Sequence, residues 1–394
     1  MKKFLLATAA ISLLAVSAEA KMFSIHMNQG TLDETRSFKS VKDVFDHYKS
    51  GSLDKIFNTY DDTKASNSVL DFRGIDMNFV FNDAGDLNYT VPEIGIDENF
   101  SGGSQEASFR MFLDYLKGNK NGILKRILRY GVQKTPYDMV AGNPNSLMSN
   151  MTDASFERAG GGILGSFASY FSPDASTHHF KYKGDNKKAE VVTLPMGKTF
   201  KFANGSALMF DLPFSYTDME GSRIYSAQFG MSYMFPVMMK EHFEWRLTPG
   251  VRAGAVISSD MLAGGALYNG TITSNIKVPV GNMTYSMTNM IGYIRDQSVK
   301  IGGYEVAYDM KNTVFKNGVA ADYDINEKWR LGGSYSYTFY EGDDLYIKDY
   351  SDINVVLSRE LKKGSLFSRV ALVGNYSFGS KDYHAYRIGI SFMF

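Results

Sequence analysis

Cysteine is absent from this chain, and tryptophan (2) and proline (9) are scarce. Without cysteine there is no disulfide scaffold, so stability has to come from core packing or from closing a barrel. Few prolines suit long, fully hydrogen-bonded strands. Net charge is missing too: 42 basic residues balance 42 acidic ones, which gives no global sign of a nucleic-acid or strongly acidic partner. Beyond residue 20 the apolar runs are short and interrupted by charge or glycine, which excludes a protein that crosses a membrane by helices. Nor is there a glycine-rich phosphate loop, a GxSxG or an HExxH pattern.

What is present begins with residues 1–20. Lys2 and Lys3 precede an apolar run over 4–16, and Ala18-Glu19-Ala20 is a small-x-small site. This pattern predicts a secretory signal peptide cleaved near Ala20. The run is shorter than the ~20 residues a spanning helix needs. Phenylalanine (28) and tyrosine (25) are abundant, yet mean hydropathy is only −0.22. A membrane barrel reconciles the two, because only every second strand residue faces lipid.

From about residue 186 the chain reads as strand after strand. Leu208, Phe210, Leu212, Phe214 and Tyr216 share one parity, as do Tyr225, Ala227, Phe229, Met231, Tyr233 and Phe235. Trp245, Leu247, Val251, Ala253, Ala255 and Ile257 repeat the pattern, then Tyr304, Val306 and Tyr308, then Val319 to Ile325, then Trp329 to Phe339. The opposite parity is small or polar, as in Ser226, Gln228, Gly230 and Ser232, which suits a narrow lumen better than a charged solvent face. Turn signals punctuate the runs: Asn204-Gly205, Glu220-Gly221, Asn269-Gly270, Asn317-Gly318, Gly342-Asp343 and residues 379–382. Strands of about 9–12 residues, roughly twelve of them, follow from this spacing.

The first half is mixed. Val41, Val44, Phe45 and Tyr48 have helical spacing, and Leu53, Ile56, Phe57 and Tyr60 repeat it. Residues 69–91 predict a hairpin around 82–86. The longest helical stretch, 104–129, is capped by Ser104 or Ser108 and broken at 118–122. It carries Arg110, Lys117, Lys120, Lys125, Arg126 and Arg129, a basic face suited to lipid head groups or a luminal plug, or simply solvated. The expected fold class is therefore mainly β: a transmembrane antiparallel β-barrel of about 12 strands preceded by a small α+β N-terminal region. The division is 1–20 signal peptide, 21–155 mixed region (periplasmic, plug or surface part) and 156–394 barrel.

The last residues carry a family signature. Tyr386, Ile388, Ile390, Phe392 and Phe394 share one parity and the chain stops on Phe394. Gly389, Ile390, Phe392 and Phe394 resemble the C-terminal assembly signal of bacterial outer-membrane β-barrels; Ile388 departs from it, since that family usually has a polar residue there. The last ~210 residues resemble the translocator domain of autotransporters. With no repetitive passenger upstream, the chain is similar to solitary autotransporter-like barrels of proteobacteria, and residues 140–148 (VAGNPNSLM) look like a motif of uncharacterised members. The resemblance implies the outer membrane of a Gram-negative bacterium as location, with the lipid bilayer and the barrel-assembly machinery as partners.

Chemistry is sparse. Among six histidines, His178-His179 follow Asp174, Ser176 and Thr177, but neighbours in a strand point to opposite faces; polar loop residues before the barrel is the plainer reading. His384 shares the outward parity, and His242 precedes Trp245 at a turn. No catalytic, cofactor or metal residue is assigned. Arg246, Arg252, Glu305, Asp309, Arg330 and Arg387 take the inward parity and are the candidate lumen charges. The expectation is a non-enzymatic barrel with a structural or pore-forming role and a narrow or plugged lumen, the plug coming from the first half. The alternatives are a hydrolase acting on lipid or peptide at the barrel rim, and a displayed adhesin carried by the barrel.

Overall fold

The computed structural model describes residues 22–118, 122–161, 168–261, 263–301, 304–362 and 364–394; the signal-peptide segment 1–20 lies outside them. The first part is a cap. Strands β1 (Phe23–Gln29), β2 (Leu32–Phe38), β3 (Ser66–Phe72), β4 (Ile75–Phe81), β5 (Leu87–Val91) and β6 (Ile96–Phe100) form an antiparallel sheet in the order β2-β1-β3-β4-β5-β6. Alternation places Phe23, Ile25 and Met27 of β1 and Met77, Phe79 and Phe81 of β4 on the buried face. Helices α1 (Val41–Lys49) and α2 (Gln105–Lys117) cover that face. Ser40 caps α1 by accepting from Lys42 N, and Ser104 caps α2 by accepting from Ala107 N. Tyr48 stacks on Phe109 at 4.7 Å, while Phe79 packs against Tyr89, Phe109 and Phe112 at 5.2–5.8 Å. α3 (Ile123–Lys134) follows, starting from Gly122 in the left-handed region at φ 63°.

Two local expectations are corrected here. Leu53 to Tyr60 is no second helix: only a 3₁₀ turn forms over Leu53–Lys55, and Asp61 accepts from Thr63 N, drawing the backbone out of helix. The 69–91 hairpin has an additional turn at Arg73-Gly74, with φ of 57° and 85°.

The second part is a closed antiparallel barrel. Its strands are β7 (Tyr170–Phe171), β8 (Asp174–Tyr182), β9 (Asp185–Leu194), β10 (Met196–Lys201), β11 (Ala207–Asp211), β12 (Phe214–Met219), β13 (Ser222–Lys240), β14 (Phe243–Ser258), β15 (Ala263–Val280) and β16 (Met283–Gln297). A small separate hairpin, β17 (Val299–Ile301) and β18 (Tyr304–Val306), leads on to β19 (Lys311–Asp324), β20 (Trp329–Gly342), β21 (Asp349–Glu360), β22 (Arg369–Gly379) and β23 (His384–Met393). Proline interrupts three wall strands: Pro173 separates β7 from β8, Pro195 separates β9 from β10, and Pro213 separates β11 from β12. Each pair is one continuous wall strand, because Ser172 N donates to Pro195 O (2.9 Å) and Leu212 N to Met196 O (2.8 Å) across the breaks. Twelve wall strands result among the described residues, and β23 closes the ring onto β7 and β8.

Here the apolar parity faces out. Tyr225, Phe229, Val251, Ile272, Ile291, Val319, Leu331, Ile353, Leu372 and Ile388 are all exposed, while Gln228, Arg252, Asn269, Asn275, Lys316 and Asp352 are buried inside. Two turn signals are corrected: Asn269-Gly270 lies inside β15 and Asn317-Gly318 inside β19. Their pairing is unbroken on both sides, so the ladder overrides a local turn preference. Several strands are also longer than expected, 19 residues in β13 and 18 in β15, because matched neighbours satisfy the extra backbone groups.

The two ends of the barrel differ. At one end sit the turns around residues 241–242, 281–282 and 325–328, together with β7's start and Phe394, whose N donates to Ser169 O (3.0 Å). At the other end lie residues 259–261, 298–301, 304–310 and 343–348, and there the cap docks. Between cap and wall the chain dives through the barrel as α4 (Leu147–Phe156) and the turn Glu157–Gly161.

Candidate functional site

The candidate site is the lumen and the helix that fills it. α4 packs against the inner faces of β13 to β16, close enough that Gly254 is required: a Cβ there would lie 2.9 Å from Leu147 Cδ1 and 3.0 Å from Met151 Sδ. Gly318 performs the same service opposite Phe156, at 2.9 Å. On its polar side α4 is tied to the wall by charge. Lys316 Nζ donates to Asp153 Oδ1 of α4 (2.7 Å) and to Asp352 Oδ2 of β21 (2.9 Å) with its side chain 4 % exposed. Tyr350 OH donates to Asp153 Oδ1 (2.9 Å), and Tyr340 OH to Thr152 Oγ1 (3.1 Å).

Arg252 Nε donates to Ser155 Oγ (3.1 Å) while its Nη1 pairs with buried Asp211. Arg158 donates to Ala168 O and Lys198 O (both 2.9 Å) and to Thr199 Oγ1 (2.7 Å). Arg387 pairs with Glu157 at 3.3 Å. A buried charge bridging two partners is costly to orphan, so these contacts fix where the helix sits. What remains open is a polar cavity of about 210 Å³ beside α4, bounded by Asp153, Glu157, Ser176, His178, Tyr383 and Arg387 among others.

The cap closes the loop end. Arg73 of the β3–β4 turn pairs with Asp138 at 2.6 Å, both fully buried, and Tyr308 of the long loop donates to the same carboxylate at 3.2 Å. The other Asp138 oxygen accepts from Val140 N (2.8 Å), within the 140–148 segment that leads into α4. Burial pushes the Tyr308 hydroxyl well above the ordinary tyrosine value. Backbone ties add to this: Val41 N donates to Asp260 O (3.0 Å), Tyr346 N to Val132 O and Ile347 N to Gly142 O (both 2.9 Å). Lys125 pairs with Asp309 and Arg129 with Asp343, each at 2.6 Å. The hydrogen bond from Lys125 holds the Asp309 carboxyl below its ordinary range, and that from Arg223 does the same for Asp260. At these positions the basic face of α3 is no luminal plug: still partly exposed, it pairs with acidic barrel loops and docks the cap on them. One apolar core runs across the junction, including Tyr137, Val140, Tyr308, Leu345 and Ile347.

The candidate lumen charges divide. Arg252 and Arg387 point inward onto α4 and its following turn. Arg246 (with Glu244, 2.7 Å) and Arg330 (with Asp324, 2.5 Å) share that inward parity but lie toward the opposite end from the cap. Glu305 and Asp309 are corrected: they are not on wall strands. Their alternating stretch is the β17–β18 hairpin and the loop after it, and its apolar side, Val306 and Tyr308, is buried at the cap junction. Period two shows an extended segment, not what it packs against.

His178-His179 are corrected as well, from loop residues to wall residues on β8: His178 faces the cavity, and His179 faces out and stacks on His384 at 4.8 Å. Of the terminal signature, Gly389 lines the lumen, while Ile390 and Phe394 are exposed and Phe392 and Phe394 flank Phe367. Sequence reading missed Asp153, Glu157, Asp211, Lys316 and Asp352. Parity alone would have found Asp211, which alternates with outward Phe210 and Leu212; Lys316 was hidden by the Asn-Gly turn signal beside it.

Among the described residues no group of three acidic or histidine side chains is placed to hold a metal ion, and no helix is long and apolar enough to cross a membrane. No family model and no curated protein matches this chain. Solved structures do resemble it in fold. The translocator domain of the autotransporter NalP from Neisseria meningitidis is 11% identical, over 63% of this chain and 96% of that one, with a TM-score of 0.42. The transport unit of the autotransporter AIDA-I from Escherichia coli is 9% identical over 62% and 98%, with a TM-score of 0.39. An outer membrane channel from Pseudomonas putida F1 is 9% identical over 59% and 100%, with a TM-score of 0.41.

Proposed function

We propose that this protein is a self-plugged outer-membrane barrel whose work is to carry its own small α+β domain to the cell surface and hold it at the outer mouth. One observation carries the reading: the chain path. The cap ends at one mouth, α4 threads the lumen, and the wall begins only at β7 beside the other mouth. A closed ring of strands with an apolar outer face satisfies its backbone groups in lipid. The longest connection between wall strands, from Gln297 to Lys311, lies at the cap end, alongside two-residue turns at 183–184 and 220–221. Because extracellular loops of outer-membrane barrels are the longer ones, it supports reading that end as external. The β23 strand, with Gly389, Ile390, Phe392 and Phe394, then serves as the signal for the barrel-assembly machinery.

The filled lumen argues for carriage and closure rather than transport. Reconstituted, folded protein in planar bilayers is expected to stay closed, and opening is expected only when α4 is displaced. Steady large-conductance channels in the wild type would rule the reading out.

A further inference from the structure

The lumen cavity holds a group of side chains, Ser176, His178 and Tyr383, that neither the plug nor the cap uses, beside Arg387, which also pairs with Glu157 of the plug turn. Ser176 and His178 are two apart on β8, so both project inward. Ser176 Oγ lies 2.9 Å from His178 Nε2, and His178 Nδ1 lies 3.1 Å from the hydroxyl of Tyr383, which is 2 % exposed. With Nδ1–H donating to Tyr383, Nε2 presents its lone pair to the Ser176 hydroxyl. Arg387 stands opposite Ser176 in the β8–β23 ladder. All four side chains border the same cavity of about 210 Å³. Other serines also reach it, namely Ser172, Ser215, Ser336, Ser377 and Ser391, but none of them has a histidine partner among the described residues.

We propose that Ser176 is an activated nucleophile and His178 its general base, forming a luminal esterase site for small, short-chain acyl esters. A nucleophile held to a base, with the base held by a third group beside an open space, is the arrangement acyl transfer requires. Ser176 Oγ attacks the ester carbonyl carbon, forming the Oγ–C bond, and its proton passes to His178 Nε2. The bond from carbon to the alcohol oxygen breaks, and His178 returns the proton to that leaving oxygen. Water then attacks the acyl-serine, giving its proton to His178. The acid departs, and Ser176 takes the proton back. Arg387 supplies positive charge to the oxyanion formed in each step. Tyr383 is a positioning residue that fixes the imidazole tautomer. The site faces the lumen and not the lipid-facing outer wall, which sets it apart from lipid hydrolysis.

Methanesulfonyl fluoride, a small serine-directed reagent, tests the site on folded full-length protein by peptide mass mapping. The expected adduct is on Ser176, at least tenfold above Ser215 or Ser377, and lost in H178A. In Y383F, hydrolysis of p-nitrophenyl acetate should fall about tenfold in kcat with KM little changed, while the heat-modifiable migration of the barrel persists. Access is checked with S176C and methyl methanethiosulfonate. If the cysteine reacts and Ser176 never does, the hydroxyl is not activated and the proposal fails. If neither reacts, the cavity admits no substrate and it fails equally. Equal labelling of all cavity serines also overturns it. None of these results bears on display of the cap, which is tested separately.

Discussion

The cap sheet and the barrel wall are written in the same period of two and turned inside out. In β1, Phe23, Ile25 and Met27 are buried and His26 and Asn28 face water; in β20, Leu331, Tyr335, Tyr337 and Phe339 are exposed and Ser336 and Thr338 are buried. The alternation is identical in kind, so it cannot by itself say which face is the core. What differs is the inner residues. Behind the apolar cap face lie aromatic rings; behind the apolar barrel face lie Ser, Thr, Asn, Gly and paired charges. The surrounding solvent, water for one and lipid for the other, decides which side the aromatics take.

Substitutions at matched positions should break this comparison in opposite ways. The largest effect is expected from Phe79→Ala in the cap core, about 3–5 kcal/mol. Limited proteolysis should then release cap fragments while the barrel keeps its folded, heat-modifiable migration. Lys316→Ala, which leaves Asp153 and Asp352 facing each other unpaired, should cost about 3–5 kcal/mol of plug seating. It is read as transient conductance steps in bilayers that wild type lacks.

Val355→Arg on the outer wall should cost ~2–4 kcal/mol near the bilayer midplane, measured by urea unfolding in lipid, whereas Val80→Arg on the cap's open face should stay within ~0.5 kcal/mol. The smallest effect concerns pH. Asp260 has a lowered value in the folded protein, so its contribution to docking is present above the ordinary aspartate value of ~3.9 and is lost as pH falls through the folded value. Hydrogen-exchange protection of Val41 and its neighbours, taken against the intrinsic rate at each pH, should therefore fall below about pH 4, and Asp260→Asn should show the lower protection already at neutral pH.

Much of the wall was legible because lipid imposes a strict rule: every outward position from Tyr225 to Phe235, or from Trp329 to Phe339, had to be apolar or small. The strand number followed from spacing. What stayed hidden depended on contacts between distant residues. Asn269-Gly270 and Asn317-Gly318 carry a genuine turn preference that paired neighbours on both sides override. Glu305 and Asp309 alternate correctly yet belong to a loop hairpin, since their partners lie in the cap. α4 escaped notice because its apolar stripe of Leu147, Met148 and Met151 is short and its polar residues, Asp153 above all, acquire meaning only against Lys316, more than 160 positions away. The basic stretch of α3 similarly showed its charge but not its acidic partners.

The central claim is that the cap stands outside the cell and α4 occupies the lumen between it and the periplasmic turns. The natural lack of cysteine makes the direct measurement simple: single cysteines at exposed Lys55 in the cap and at exposed Glu241 in the opposite turn, challenged on intact cells with a membrane-impermeant maleimide. Lys55→Cys should label fully on intact cells, and Glu241→Cys only after the outer membrane is permeabilised. Labelling of Glu241→Cys on intact cells with protection of Lys55→Cys would contradict the account.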